Sequence, residues 1–408
     1  MSLSPEGEEE EDGEHQVARR SWWWLWWWQH RQGAHLKRKD VPGVIREGLL
    51  KAAVETGDLL RLKQLIREGI YPHKTCDGGA KLLSISTIQN QEDITRVLIE
   101  NGCSVNASSR DGSTPLQYAA WNGHVSMVEL LLEAGAVIRE RQHGESLAMI
   151  AAIHGHVHIL KLLVLRGYAF NEVNHTQDTA LHHACRHGHV NCVRLLRHHI
   201  DLNACNAWGQ TALTTALLNN NENIARWLIC QGCDLTISDL QGRTPLHLTS
   251  TKGLHHTSFL LLQNGAPVDH RDNQLRTSLA EAVYHNHIDV VRLLLAHNAD
   301  VTLSGIYPTI HRVALSPYII ALLRHNYAIA RMLYEAGCVV TVRDLRSVRI
   351  AITDDLVNLL HQSSQPRSLL SLCRLVIRGS LGRPTPQSIR MLPLAPRLAR
   401  YISFEEDN

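Results

Sequence analysis

Eight apolar, helix-like stretches of this chain stop at Gly69, Gly102, Gly135, Gly167, His199, Gly232, Gly265 and Asn298, spaced 33, 33, 32, 32, 33, 33 and 33 residues apart. An apolar pair precedes each stop, from Leu65-Ile66 through Leu131-Leu132 to Leu294-Leu295. The residue just past a helix favours the left-handed backbone, which glycine adopts freely and Asn or His more readily than most. A unit of this length cannot bury its own apolar face. It must stack on its neighbours, so the repeated part of this 408-residue chain forms an array and not one large core. With 44% hydrophobic and 20% charged residues, the composition excludes wholesale disorder and a collagen-like chain.

A second marker runs upstream at the same period. Thr114-Pro115-Leu116 and Thr244-Pro245-Leu246-His247 are its fullest copies, with Thr179-Ala180-Leu181-His182 and Thr211-Ala212-Leu213 close to them. The threonine caps a helix, and proline suits the next position because its missing N–H would have had no helical partner. Small residues follow (Ala119-Ala120, Ala151-Ala152, Ala184) and let neighbouring helices approach. Gly123-His124, Gly155-His156 and Gly188-His189 then break the chain before the next helix. Each unit reads as a turn, a short helix, a tight link, a longer helix and an extended loop.

These residues resemble the ankyrin repeat, whose D-x-x-G-x-T-P-L-H-x-A-A-x-x-G-H pattern is nearly complete over 239–253. The resemblance covers 45–340 as about nine repeats, with the first two and the last degenerate. The Thr-Pro-Leu-His signal is missing around 79–89, and the stop after Asn298 is Gly337, 39 residues on, implying an insertion that includes Pro308 and Pro317. The expected fold class is all-α, an ankyrin-repeat solenoid, which is first of all a binding architecture.

Beyond a linker or capping segment (341–365) the pattern changes. Leu369, Cys373 and Ile377 share one helical stripe after Pro366. Pattern alone allows a helix that caps the array. The segment also resembles a SOCS box over 366–405, a small three-helix module. Ser368, Leu369, Cys373 and Ile377 match its elongin-binding motif, and Leu392, Pro393, Leu394, Pro396 and Leu398 match its cullin-selecting half. Ala395 stands where that pattern has a second proline, so the docking loop is expected to be looser. The resemblance implies elongin B/elongin C and a cullin with its RING subunit as partners, and a protein target held by the repeats.

In ankyrin proteins partners meet the hairpin tips and the exposed ends of the first helices. Those positions here hold Trp121, Asn122, Arg186, His187, Trp208, Lys252, Tyr284 and His285. Trp, Tyr and Arg are the residues enriched at binding hot spots. The mixed Arg, Lys and His lining points to an acidic or polar partner.

Catalytic spacings are missing: there is no P-loop, H-E-x-x-H, G-x-S-x-G or dinucleotide-binding glycine pattern. No cofactor or metal is expected. Cys230-x-x-Cys233 reads as a repeat position, since Cys103 and Cys338 fill the slot of Cys233. Among 26 histidines, His182 and His247 take the Thr-Pro-Leu-His slot and His124, His156 and His189 the Gly-His slot; a zinc site across adjacent repeats or a pH-sensitive surface stays open. Lys plus Arg number 41 against 39 Asp plus Glu, so no nucleic-acid partner is expected. The tail over 1–44 is expected to be disordered. Its Trp22–Trp28 run is too short to span a bilayer, and the acidic segment before it is the opposite of a secretory signal's basic start. A disordered apolar tail or a segment folded back on the first repeat is expected over peripheral membrane contact. Nine cysteines, an odd number, fit reduced thiols in the cytoplasm, with the nucleus open. The sequence thus points to a non-catalytic, substrate-recruiting ubiquitin-ligase subunit. The alternative is a non-degradative ankyrin scaffold whose last segment is only a cap.

Overall fold

The computed structural model describes residues 43–74, 79–109, 112–138, 144–308 and 311–338. They fall into two compact units, one up to Arg139 and one from Glu140. Eighteen α-helices, one short 3-10 helix (Pro72–Lys74) and one two-stranded hairpin make up the regular structure of the described residues.

The first unit holds α1 (Gly43–Glu55), α2 (Leu59–Arg67), α3 (Ala80–Ile88), α4 (Glu92–Glu100), α5 (Pro115–Asn122) and α6 (Val125–Glu133). They pack as three antiparallel pairs, and their shared core includes Leu50, Val54, Leu62, Leu83 and Leu98, each at most 1% exposed. Pro115 opens α5 behind a reciprocal cap: Thr114 accepts from the Gln117 amide while the Gln117 side chain accepts from the Thr114 amide. In the degenerate second repeat Gly79 replaces that threonine, at φ +86°. A Cβ there would sit 2.5 Å from the Cys103 sulfur, so the missing signal has a packing reason.

The second unit holds α7 (Leu147–Ile153), α8 (Val157–Leu165), α9 (Ala180–His187), α10 (Val190–Leu196), α11 (Ala212–Leu218), α12 (Glu222–Cys230), α13 (Pro245–Lys252), α14 (His255–Gln263), α15 (Ser278–Tyr284) and α16 (Ile288–Ala296). The hairpin strands β1 (Gly305–Tyr307) and β2 (His311–Leu315) follow, then α17 (Pro317–Leu323) and α18 (Tyr327–Glu335). First helices stack on first helices and second on second, which is the nearest-neighbour packing that the 33-residue period demands.

Four successive hairpin tips of the second unit are each shaped by one Asn or Asp. Asn174, Asn206, Asp239 and Asp272 each accept two backbone amides through Oδ1, two and four residues on, at 2.8–3.0 Å. The tips then bond to one another: Ala207 N–H to the Thr176 carbonyl, Leu240 to Trp208, Asn273 to Gln241 and Ile306 to Gln274, at 2.8–3.0 Å. The last of these ties β1 into the row, so the insertion continues it.

A second set of bonds joins the links between helices. His189 donates Nε2–H to the Ile153 carbonyl at 2.9 Å, and His287 donates likewise to Thr251 at 3.0 Å. Asn221 bonds the Cys185 and Arg186 carbonyls. Each donor thus satisfies the free end of the preceding repeat's first helix. The link glycine makes room: a Cβ on Gly155 would lie 2.6 Å from the His189 ring.

Two expectations are corrected. His199 does not take the left-handed backbone, though Asn298 does at φ +61°. Helix α10 stops at Leu196, an extra turn follows, and the His199 ring packs 5.5 Å from Phe170. Pro317 does not belong to the insertion. It is the first residue of α17 behind the cap Ser316, whose side chain accepts from the Ile319 amide, so the extra residues all lie upstream, where the hairpin forms.

Candidate functional site

The surface positions named from sequence lie at the ends of first helices and on one hairpin tip. In the first unit, Trp121 on α5 is 44% exposed, and Asn122 donates its side-chain amide to the Tyr118 carbonyl. The others belong to the second unit and form a strip across successive repeats.

On α9, Arg186 bonds Asp178 at 2.9 Å and the His187 ring lies parallel to that of His189 at 6.3 Å. Asp178 is 2% exposed; burial would raise its proton affinity, but hydrogen bonds from Asn206 and Arg186 outweigh it and hold the carboxyl below its usual range. Burial, then the neighbouring His189, lowers the His187 pKa and favours the neutral ring. Trp208 projects from its tip, 46% exposed, beside Leu240 at 67% on the next tip. Its backbone is held on both sides, by Asn206 and by the Leu240 amide. This is a fixed apolar crest.

Lys252 has a structural occupation that sequence reading missed. Its ammonium donates to the Leu217 carbonyl at 2.7 Å, the Leu218 carbonyl at 2.8 Å and Asn220 Oδ1 at 2.6 Å. All three N–H groups are engaged. The signal was present in the sequence: Leu254 fills the slot where His189, Asn221 and His287 make their link bonds, and leucine has no donor. Lys252 supplies the cap from two residues upstream.

Tyr284 and His285 stand at the end of α15 in a cluster built around the insertion. Tyr307 of β1 is 2% exposed; its ring stacks on Tyr284 at 4.7 Å and 17°, and its hydroxyl meets Glu281 at 3.4 Å. Arg276 lies over the Tyr307 ring at 5.5 Å and bonds both Asp272 at 2.7 Å and Glu281 at 2.9 Å. Arg324, past the end of α17, covers the other face of the pair, 4.9 Å from the Tyr284 centroid. Burial raises the Glu281 carboxyl despite Arg276. Burial, then His287 and Arg324, lowers the His285 pKa and favours its neutral form. Arg276, Tyr307 and Arg324 carry no ankyrin signature and lie far apart in sequence, so their meeting was not legible beforehand.

Among the described residues no group of three His, Cys, Asp or Glu side chains is placed to hold a metal ion. No described helix is long and apolar enough to cross a membrane. Cys233 is buried and Cys230 exposed, and neither forms a disulfide. Ser368, Leu369, Cys373, Ile377, Leu392, Pro393, Leu394, Pro396 and Leu398 lie outside the described residues, as does the Trp22–Trp28 run.

The repeats define a class first. Three copies of the family model for ankyrin repeats match residues 49–142, 148–239 and 234–304, more than half of the chain. The model for the SOCS box matches 365–403. The chain belongs to the ankyrin-repeat family and carries a SOCS box behind the repeats. It is similar to ankyrin repeat and SOCS box protein 5 of Oryctolagus cuniculus, 30% identical over 166 residues, 40% of this chain and 48% of that one. It is also similar to ankyrin repeat and SOCS box protein 16 of Homo sapiens, 25% identical over 363 residues, 83% of this chain and 70% of that one. Among solved structures, the ankyrin repeat domain of Bcl-3 aligns with a TM-score of 0.47 at 27% identity, over 54% of this chain and all of that one. The chain spans between 16% and 52% of the length of several other curated relatives it matches.

Proposed function

We propose that this chain is the substrate-recognition subunit of an elongin–cullin–SOCS-box ubiquitin ligase. The observation that carries the reading is the pairing of a SOCS-box match at 365–403 with an ankyrin array at 49–304 in one chain. Elongin C takes Leu369 and Cys373, flanked by Ser368 and Ile377, and the segment from Leu392 to Leu398 engages a cullin carrying its RING subunit. The receptor makes and breaks no bonds itself; it raises the effective concentration of a bound target near the ubiquitin-charged enzyme, for transfer and degradation. The cytoplasm is its proposed setting.

The strip from Arg186 to His285, with the Trp208–Leu240 crest, is the proposed target surface of the second unit. A rigid crest of exposed Trp and Leu supplies apolar anchors at low entropic cost, and the guanidinium and imidazole groups beside it supply orientation. Trp121 is the matching anchor in the first unit.

Co-expression with elongins B and C and a cullin tests the assignment. Wild type is expected to retain all three, and Leu369→Asp with Cys373→Asp to lose them together. Retention by the double variant at wild-type level overturns it. A second comparison addresses the departure at Ala395: Ala395→Pro is expected to strengthen cullin retention several-fold by fixing φ in the docking loop, with elongin retention unchanged. Unchanged cullin retention would show that Pro396 alone suffices.

A further inference from the structure

The stack formed by Arg324, Tyr284, Tyr307 and Arg276 has two unlike ends. At the inner end, Arg276 is bonded to Asp272 and Glu281, carboxylates whose side chains are 1% and 7% exposed. At the outer end, Arg324 is exposed, lies on the Tyr284 ring and meets no carboxylate among the described residues. The same contrast runs along the strip. Arg186 and Arg243 are each matched by a buried aspartate, Asp178 and Asp239. Lys252 faces only neutral oxygens. The uncompensated positive charge of the strip is therefore gathered at one end, on Lys252 and Arg324. These stand at the ends of α13 and α17, with α15 and its His285 packed between them.

We propose that this end of the strip is a subsite for an acidic side chain of the target protein, anchored by the Arg324 guanidinium. The proposal rests on the reading that the strip takes a target, and it names the chemistry of one contact. Stacking on an aromatic face holds a guanidinium in one plane and leaves the edge of its N–H fork open to a carboxylate's two oxygens. Lys252, two helix spacings away, offers no donor because its three N–H groups are engaged. His285 adds no charge-assisted contact of its own, because its Nε2 faces Glu281 Oε2 at 3.6 Å. A polyphosphate backbone fits poorly: of the two guanidiniums of this stack only Arg324 is open, and the inner one, Arg276, is already held by Asp272 and Glu281. One carboxylate matches one fork.

Selection of a phage-displayed library of random twelve-residue peptides on the immobilised full chain, and in parallel on Arg324→Glu and Arg324→Gln, tests this. Wild type is expected to enrich Asp or Glu at one fixed position, and Arg324→Glu to replace it by Lys or Arg there. The best wild-type peptide, made with an amidated C-terminus, should lose about tenfold in affinity on Arg324→Gln. Enriched peptides with no acidic position, or the same acidic position retained on Arg324→Glu, overturn the subsite and leave the target strip standing. Binding that requires a free C-terminal carboxylate overturns the assignment to a side chain. No enrichment on any of the three proteins overturns both the subsite and the target strip.

Discussion

The Lys252 ammonium does what an imidazole or an amide does elsewhere in the array: it closes the end of a helix in the preceding repeat. Lys252→Met keeps most of the aliphatic stem and removes three donors, leaving the part-buried Leu217 and Leu218 carbonyls without their cap. The expected loss is about 1–2 kcal/mol in urea unfolding, toward the low end for bonds to a charged group because the site is partly exposed. No measurable loss would mean that water caps the helix equally well. His247 makes the opposite case, a fully buried ring. Its Nδ1 accepts from the Thr244 amide at 3.2 Å and its Nε2–H is donated to the Arg276 carbonyl at 3.1 Å. Burial pushes its pKa down to about 4, against about 6.5 in an unfolded chain. Between those values the unfolded chain takes up a proton that the folded one refuses. The stability contribution is therefore complete above pH 6.5 and is lost progressively as pH falls toward 4, by at most about 1.4 kcal/mol per pH unit. His247→Gln, which copies the Gln117 cap, should flatten this slope in urea titrations at pH 7, 6 and 5; an unchanged slope would contradict the assignment.

At the scale of elements, the insertion that interrupts the period is a built part of the stack. The β1–β2 hairpin is tied to the preceding tip by the Ile306 amide and by Arg271, whose guanidinium reaches the Ser304 carbonyl at 2.8 Å. It is clamped from the side by the Tyr307 ring. Tyr307→Ala should release it, with amide exchange across 305–315 at least tenfold faster and exchange in α9 and α10 unchanged, since coupling in a repeat array is mostly between neighbours. Equal protection in the variant would place the hairpin's stability in its backbone bonds alone. Helix starts, helix stops and links were legible in the sequence because each is a local backbone requirement with its own residue type: Thr at the cap, Gly at the left-handed stop, His at the link. His199 and Pro317 misled for the same reason in reverse. Each fits a local slot by type, but packing against Phe170 and a longer loop decide the outcome. The Arg276–Tyr307–Glu281 cluster was hidden because it joins residues from different repeats and no local pattern announces such a meeting. The Lys252 cap, in contrast, left a local sign, the donorless Leu254 in the link slot, which says that a donor is missing but not which residue replaces it.

For the whole molecule, the proposed function divides between separate stretches: the ankyrin repeats at 49–304, proposed to present a target strip, and the SOCS box at 365–403, proposed to connect to a ligase. If they are separable, damage to the elongin motif leaves the repeats folded and able to hold their target, and damage to the strip leaves elongin binding intact. A buried leucine anchor contributes roughly 1.5–3 kcal/mol through apolar area, so an aspartate at that position, with a second beside it, should abolish docking. The most direct measurement is isothermal titration of purified elongin B–elongin C into the purified full chain, wild type and Leu369→Asp/Cys373→Asp, with urea unfolding of both. The account predicts tight one-to-one binding by wild type, none by the double variant, and coincident unfolding of the repeats. Equal binding by both proteins, or none by wild type, would contradict it.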